Sequence, residues 1–180
     1  PYTPSAYSWP STFSDEQESY LTSELQRLFC LLRMNTSVFN IEARIANGKP
    51  YIMEVTPRGG GNRLAEIIRY ATGVDMITAS VRAAVGESVE GITQKPYQGH
   101  WAEIILHADC NGEFLGIEVD EQFAHCEIVE RDLWVKPGDK VACFNGANNA
   151  IGTLVVNFAN SEDLNFAMAN IDNWVRIIVK

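Results

Sequence analysis

Cysteine and histidine are scarce in this chain. Four cysteines, Cys30, Cys110, Cys126 and Cys143, stand far apart in 180 residues, and none forms a C-x-x-C pair. That spacing fits no zinc or disulfide framework and predicts reduced, mostly buried thiols of a cytoplasmic protein. The three histidines, His100, His107 and His125, are scattered too. His100 and His107 differ by an odd number of positions, so one strand would present them on opposite faces, against a shared metal. Positive charge is also short: 14 Lys and Arg face 23 Asp and Glu, for a net charge of −9. That balance argues against nucleic acid or an anionic membrane as a partner. No apolar run is long enough to span a bilayer, and no signal peptide is visible. The first residue is Pro1 rather than Met, which points to a fragment, a processed product or a trimmed chain.

What is present suits a globular chain. It is 46% hydrophobic and 21% charged, and its length fits one large domain or two small ones with a sizeable core. Residues 1–13 read as a loop or the stump of an interrupted element. Ser14 and Gln17 have the form of a capping box, and Leu21, Leu25, Leu28, Phe29 and Leu32 keep helical spacing to about Arg33. Residues 38–46 alternate: Phe39, Ile41, Ala43 and Ile45 point one way, Asn40, Glu42 and Arg44 the other. Asn47-Gly48 marks a turn, and residues 51–56 are the return strand. After the loop at 57–62, one helix runs through Leu64, Ile67, Ile68 and Ala71 to a glycine cap near Gly73. A second helix covers about 75–85. Beyond Gly91 short strands are expected at 101–108, 114–119, 124–130, 140–144 and 152–157. A helix capped at Asn160-Ser161 and a strand at 175–179 close the chain. The β-rich tail is expected to pack as a satellite subdomain.

The stretch 39–62, FNIEARIANGKPYIMEVTPRGGGN, carries the chemistry. Glu42 and Glu54 lie on neighbouring strands, and two facing carboxylates repel unless a cation sits between them. Mg²⁺ prefers oxygen ligands shared with phosphate. The register leaves two outcomes open. A strict two-residue loop at Asn47-Gly48 pairs Glu42 with Met53 and puts Glu54 on the other face. A three-residue loop or a β-bulge pairs Glu42 with Glu54. The plain alternative is two solvent-facing glutamates on an ordinary hairpin. In the loop, Gly59, Gly60 and Gly61 allow close backbone approach to a ligand, and Arg58 can hold an anionic oxygen. The helix that follows adds its positive end.

In this order, Glu42, then Glu54, then Thr56-Pro57-Arg58, the chain resembles the metal-binding segment of the ATP-grasp superfamily, carboxyl-terminal part. The variant with Gly59-Gly60-Gly61 most resembles L-amino-acid-ligase-like members, and the chain as a whole resembles those and carbamoyl-phosphate-synthetase large-subunit-like members. The resemblance covers residues 39–86 strongly and the tail after Gly91 weakly. It implies an α+β fold: an antiparallel sheet with packed helices over 1–90, the carboxyl-terminal half of an ATP-grasp domain, and a small β-rich subdomain over 91–180. It implies ATP and Mg²⁺ or Mn²⁺ as cofactors. Glu42 and Glu54 would be metal ligands, with Thr56 where the family commonly has a metal-binding asparagine. Arg58 would be the catalytic residue, and Met53, Gly61 and Asn62 would lie against nucleotide or substrate. The implied activity is ATP-dependent carboxylate–amine ligation through an acyl-phosphate, with a small carboxylate or amino acid as substrate. A carbamoyl-phosphate-synthetase-like or biotin-carboxylase-like enzyme, or a non-catalytic binding module of the same fold, is the alternative. Family members carry a lysine pair and a flexible glycine-rich loop upstream. An amino-terminal half is therefore the expected partner, with a homodimer as the expected assembly, and this fragment alone is expected to be inactive.

Overall fold

The computed structural model describes residues 3–93, 95–120 and 125–180. Two compact units are interleaved along the chain: Pro1–Pro10, Asn62–Gly73 and Lys95–Lys180 form one, Ser11–Gly61 and Val74–Gln94 the other. The division therefore differs from the expected 1–90 and 91–180 halves. Its physical cause is strand pairing: Ala6–Trp9 join the carboxyl-terminal sheet.

The smaller unit holds helix α1 (Asp15–Leu31), strands β2 (Asn40–Ala46) and β3 (Lys49–Thr56), and helix α3 (Met76–Ala84). The α1 capping box forms as expected. Ser14 Oγ accepts from the Gln17 amide at 3.3 Å, and the Gln17 side chain accepts from the Ser14 amide at 2.9 Å. Ser14→Ala should cost about 1 kcal/mol, read as a lower melting temperature of this unit. Phe39, just ahead of β2, stacks on Phe29 of α1 with ring centroids 4.5 Å apart, which sets the odd-numbered β2 residues toward the helix. The opposite face carries Asn40, Glu42 and Arg44. Asp75 caps α3 by accepting from the Thr78 amide at 2.9 Å.

The larger unit begins with strand β1 (Ala6–Trp9), where the sequence leaves open a loop or the stump of an interrupted element. It pairs antiparallel with β4 (His100–His107), which is flanked on its other side by β8 (Ala150–Phe158), and β6 (Cys126–Leu133) completes the order β1-β4-β8-β6. A second sheet has the order β7-β5-β9, from β7 (Lys140–Val141), β5 (Gly112–Val119) and β9 (Val175–Val179). Helix α2 (Leu64–Thr72) ends at Gly73 with φ +71°, the left-handed cap expected there. Helices α4 (Ser161–Ala169) and α5 (Ile171–Trp174) complete the unit.

Strands β4 and β8 are buried almost throughout, because both of their faces are covered. Ala102, Ile104, Leu106, Leu154, Val156 and Phe158 join Phe114, Leu164 and Trp174 in the main core. The other face sets Trp101 and Val155 against Ile67 and Ala71 of α2. The thiols also depart from expectation: Cys30, Cys110 and Cys143 are exposed, Cys126 is half-buried, and all four are free. Among the described residues no helix is long and apolar enough to cross a membrane.

Candidate functional site

The hairpin decides between the two registers. Ala46 pairs with Lys49, so the turn is the strict two-residue Asn47-Gly48 loop. Asn47 and Gly48 both have positive φ, 51° and 76°, as a type I′ turn requires. Ala43 still pairs with Ile52, but Glu42 pairs with Glu54. One extra residue, Met53, is therefore accommodated as a β-bulge, and it turns the two glutamates to the same face. The face opposite α1 thus carries a two-by-two set: Asn40 across from Thr56, and Glu42 across from Glu54.

Both carboxylates have partners in the ligand-free hairpin. Arg44 reaches Glu42 Oε1 with two nitrogens, at 3.0 and 3.1 Å, and the pair is solvent-exposed. The Thr56 hydroxyl donates to Glu54 Oε1 at 2.6 Å. Exposed ion pairs of this kind contribute at most about 1 kcal/mol, so Arg44 is easily displaced by a stronger cation. No group of three His, Cys, Asp or Glu is placed to hold a metal among the described residues. The donor set available is instead two carboxylates with a carboxamide and a hydroxyl, all oxygen donors of the kind Mg²⁺ takes when phosphate supplies the rest.

Met53, the bulge residue, is 62% exposed. The loop that leaves β3 folds back at once: the Arg58 amide donates to Thr56 O at 2.8 Å, and Arg58 Nη1 donates to the Gly59 carbonyl at 2.8 Å. With Pro57 and Gly59, Arg58 lines a cavity of about 610 Å³ whose other wall is α3, through Met76, Ala79, Ser80 and Ala83. Gly59 and Gly61 have no positive φ, and a methyl group on either would meet no atom within 4 Å. The fold itself does not demand glycine at these two positions. Asn62, the first residue of the larger unit's second segment, is in the left-handed region, φ +52°.

The start of α2 corrects one expectation. Its amino-terminal end is engaged by the protein's own carboxylate: Glu103, a fully buried residue of β4, accepts from the Arg63 amide at 2.9 Å. The Arg63 guanidinium pairs with Glu130 and Asp132 of β6, and with Glu66 one turn on. Tyr70 donates to Glu130 at 2.5 Å. Burial pushes the Glu103 carboxyl up to about 7, the Arg63 amide opposing and the Glu66 charge adding to the rise. This cluster was missed in the sequence, although a lone acid inside the apolar run W-A-E-I-I-L is its signal.

No family model matches the chain. Protein y4rH of Sinorhizobium fredii is 26% identical over 148 residues, 82% of this chain and 30% of that protein. Human carnosine synthase 1 is 29% identical over 99 residues, 55% of this chain and 12% of that protein. Among solved structures, an L-amino acid ligase from Bacillus licheniformis superposes with a TM-score of 0.80 at 19% identity, over 99% of this chain and 45% of the ligase. The biotin carboxylase domain of Hydrogenobacter thermophilus 2-oxoglutarate carboxylase, solved as a dimer in complex with MgADP, ADP and bicarbonate, gives a TM-score of 0.67 at 17% identity, over 99% of this chain and 40% of that one. The chain has the fold of the ATP-grasp ligases, and it spans less than half the length of the solved chains it matches.

Proposed function

We propose that this chain is the carboxyl-terminal part of an ATP-dependent carboxylate–amine ligase, with its metal and phosphate end on the β2–β3 hairpin. The observation that carries the reading is the bulge that sets Glu42 directly across from Glu54. A regular hairpin with the same turn would separate them. The bulge costs ladder regularity and gains a pair of opposed carboxylates, which is unfavourable by itself and favourable once a divalent cation lies between them. The MgADP in the biotin carboxylase neighbour supports Mg-nucleotide as the ligand. The ligase and synthase neighbours support C–N bond formation as the chemistry.

In this reading Glu42 and Glu54 hold the cation, and Thr56 orients Glu54 through its hydroxyl. When bound, Mg²⁺ would supply neutralisation of phosphate charge during transfer. The substrate carboxylate oxygen attacks the γ-phosphorus, the bond to the bridging oxygen breaks, and ADP leaves. The amine nitrogen then attacks the acyl carbon, inorganic phosphate leaves with the acyl–oxygen electron pair, and the nitrogen gives up a proton. Arg58, at the wall of the cavity, contacts the acyl-phosphate oxygens and holds the charge that develops on them. The cavity of about 610 Å³ beside it is of a size that takes a small carboxylate. Met53, exposed on the bulge, lies against the adenine, and Gly61 lines the loop side of the substrate. An upstream amino-terminal half supplies the remaining phosphate-binding groups, so the chain by itself is inactive.

The test is ADP release by the full-length protein with Mg-ATP and a panel of carboxylates and amino acids. Arg58→Ala should lower kcat by roughly 10²–10³-fold, the magnitude lost with one donor to a developing charge, and leave nucleotide affinity near that of the parent. A protein that releases no ADP with any carboxylate and amine would remove the ligase reading and favour a binding module of the same fold.

A further inference from the structure

The position two residues after the second glutamate is Thr56, where the resemblance leads one to expect a carboxamide. Thr56 cannot replace that group in kind. Its hydroxyl proton is directed at Glu54 Oε1, 2.6 Å away, so it acts on the neighbouring carboxylate. The register shows a carboxamide in the adjoining place on the other strand. Asn40 is the direct cross-strand partner of Thr56, as Glu42 is of Glu54. Directly opposed residues on antiparallel strands share a face with Cβ atoms about 4.5–5.5 Å apart, and Asn40 shares that face with Glu42 by the two-residue period of β2. Asn40 is half-buried at the first position of the strand, its neighbour Phe39 pinned by the stack on Phe29. Among the described residues its carboxamide makes no hydrogen bond, while Glu42 and Glu54 are both engaged.

We propose that Asn40 Oδ1 takes the place of the expected carboxamide and is the third protein ligand of the divalent cation between Glu42 and Glu54, with Thr56 as a positioning residue for Glu54. The carboxamide has moved across the hairpin to the opposite strand while keeping the same face. This rests on the metal reading of the glutamate pair given above. A neutral oxygen donor beside two carboxylates adds a ligand for a hard cation without adding repulsion.

The experiment titrates Mn²⁺ alone into this chain and follows the free-ion electron paramagnetic resonance signal. It compares the parent with Glu54→Ala, Asn40→Ala and the double variant Asn40→Ala/Thr56→Asn, with circular dichroism melts confirming that each is folded. Asn40→Ala should weaken Mn²⁺ binding by at least about tenfold, the scale of loss seen when a group supporting a metal site is removed. Thr56→Asn should restore most of that loss, because it places a carboxamide directly across the hairpin. Binding by Asn40→Ala equal to the parent, with Glu54→Ala impaired, overturns this inference and leaves the glutamate pair standing. A loss that Thr56→Asn does not restore also overturns it, by assigning Asn40 to the structure of the strand. Absence of Mn²⁺ binding in the parent chain overturns this inference, and the metal reading is then decided separately by ADP release from the full-length protein and its Glu54→Ala variant.

Discussion

Replacing Glu54 by alanine should abolish Mg-ATP-dependent ligation by the full-length protein and should not destabilise its fold. The two halves of that result come from the same geometry. Glu54 is opposed by Glu42 on an exposed face, where like charges directly across a strand pair are destabilising by a few tenths of a kcal/mol up to about 1. Among the described residues it accepts one hydrogen bond, from the Thr56 hydroxyl at an exposed position. Truncation therefore relieves repulsion and leaves no buried group unpaired. Metal-dependent charge stabilisation is worth several kcal/mol, so the loss of rate should reach roughly 10³-fold or more. ADP release and a thermal melt on the same preparation check both parts. A variant that loses activity only because it melts early would mean that Glu54 serves the hairpin rather than the cation.

The second large effect concerns stability and pH. Glu103 is buried on β4, accepts the first amide of α2, and holds its proton up to about pH 7. The charged groups around it are Arg63 and Glu66 of the α2 start, with Glu130 and Asp132 of β6 on the far side of the Arg63 guanidinium. In the unfolded chain the same carboxyl has its ordinary value of 4.5. Between the two values the folded state holds a proton that the unfolded state has released. Stability therefore falls as pH rises from about 4.5 to about 7, and is flat in this group above that. The size is about 3 kcal/mol at most, from the separation of the two values at 1.36 kcal/mol per unit. Glu103→Gln keeps an acceptor for the Arg63 amide and removes the titration. It should flatten this part of the profile and be more stable than the parent at pH 8. Glu103→Ala should destabilise by about 1–3 kcal/mol at pH 5, because the Arg63 amide loses its acceptor, and by less at pH 8, where the parent has lost the stability its protonated carboxyl supplied. Urea melts at pH 5 and pH 8 on the three proteins decide it; parallel profiles for parent and Glu103→Gln would contradict the account.

The sequence was readable where one local rule decides an element. The capping box at Ser14, the Gly73 cap and the alternation in β2 each act within a few residues, and each element forms where those signals stand. Strand β1 was not readable, because Ala6–Trp9 becomes a strand only by pairing with β4, far along the chain. The interleaving of the two units follows from that pairing and from the packing of α2 on β4, so neither could be found in a window. The hairpin was half readable. Both registers could be written down from the turn, but the choice belongs to Met53, whose accommodation as a bulge depends on Val55 and Ile52 keeping the face toward α1. Asn40 went unremarked as a site residue because its partner, Thr56, is defined only once that choice is made.

The most direct test of the central claim is a crystal structure of the full-length protein with ADP and Mn²⁺, located by its anomalous signal. The account predicts a peak between the Glu42 and Glu54 carboxylates, with oxygen contacts of roughly 2.0–2.3 Å and Arg44 withdrawn from Glu42. A bound nucleotide whose metal lies elsewhere, with the Arg44–Glu42 pair intact, would contradict it.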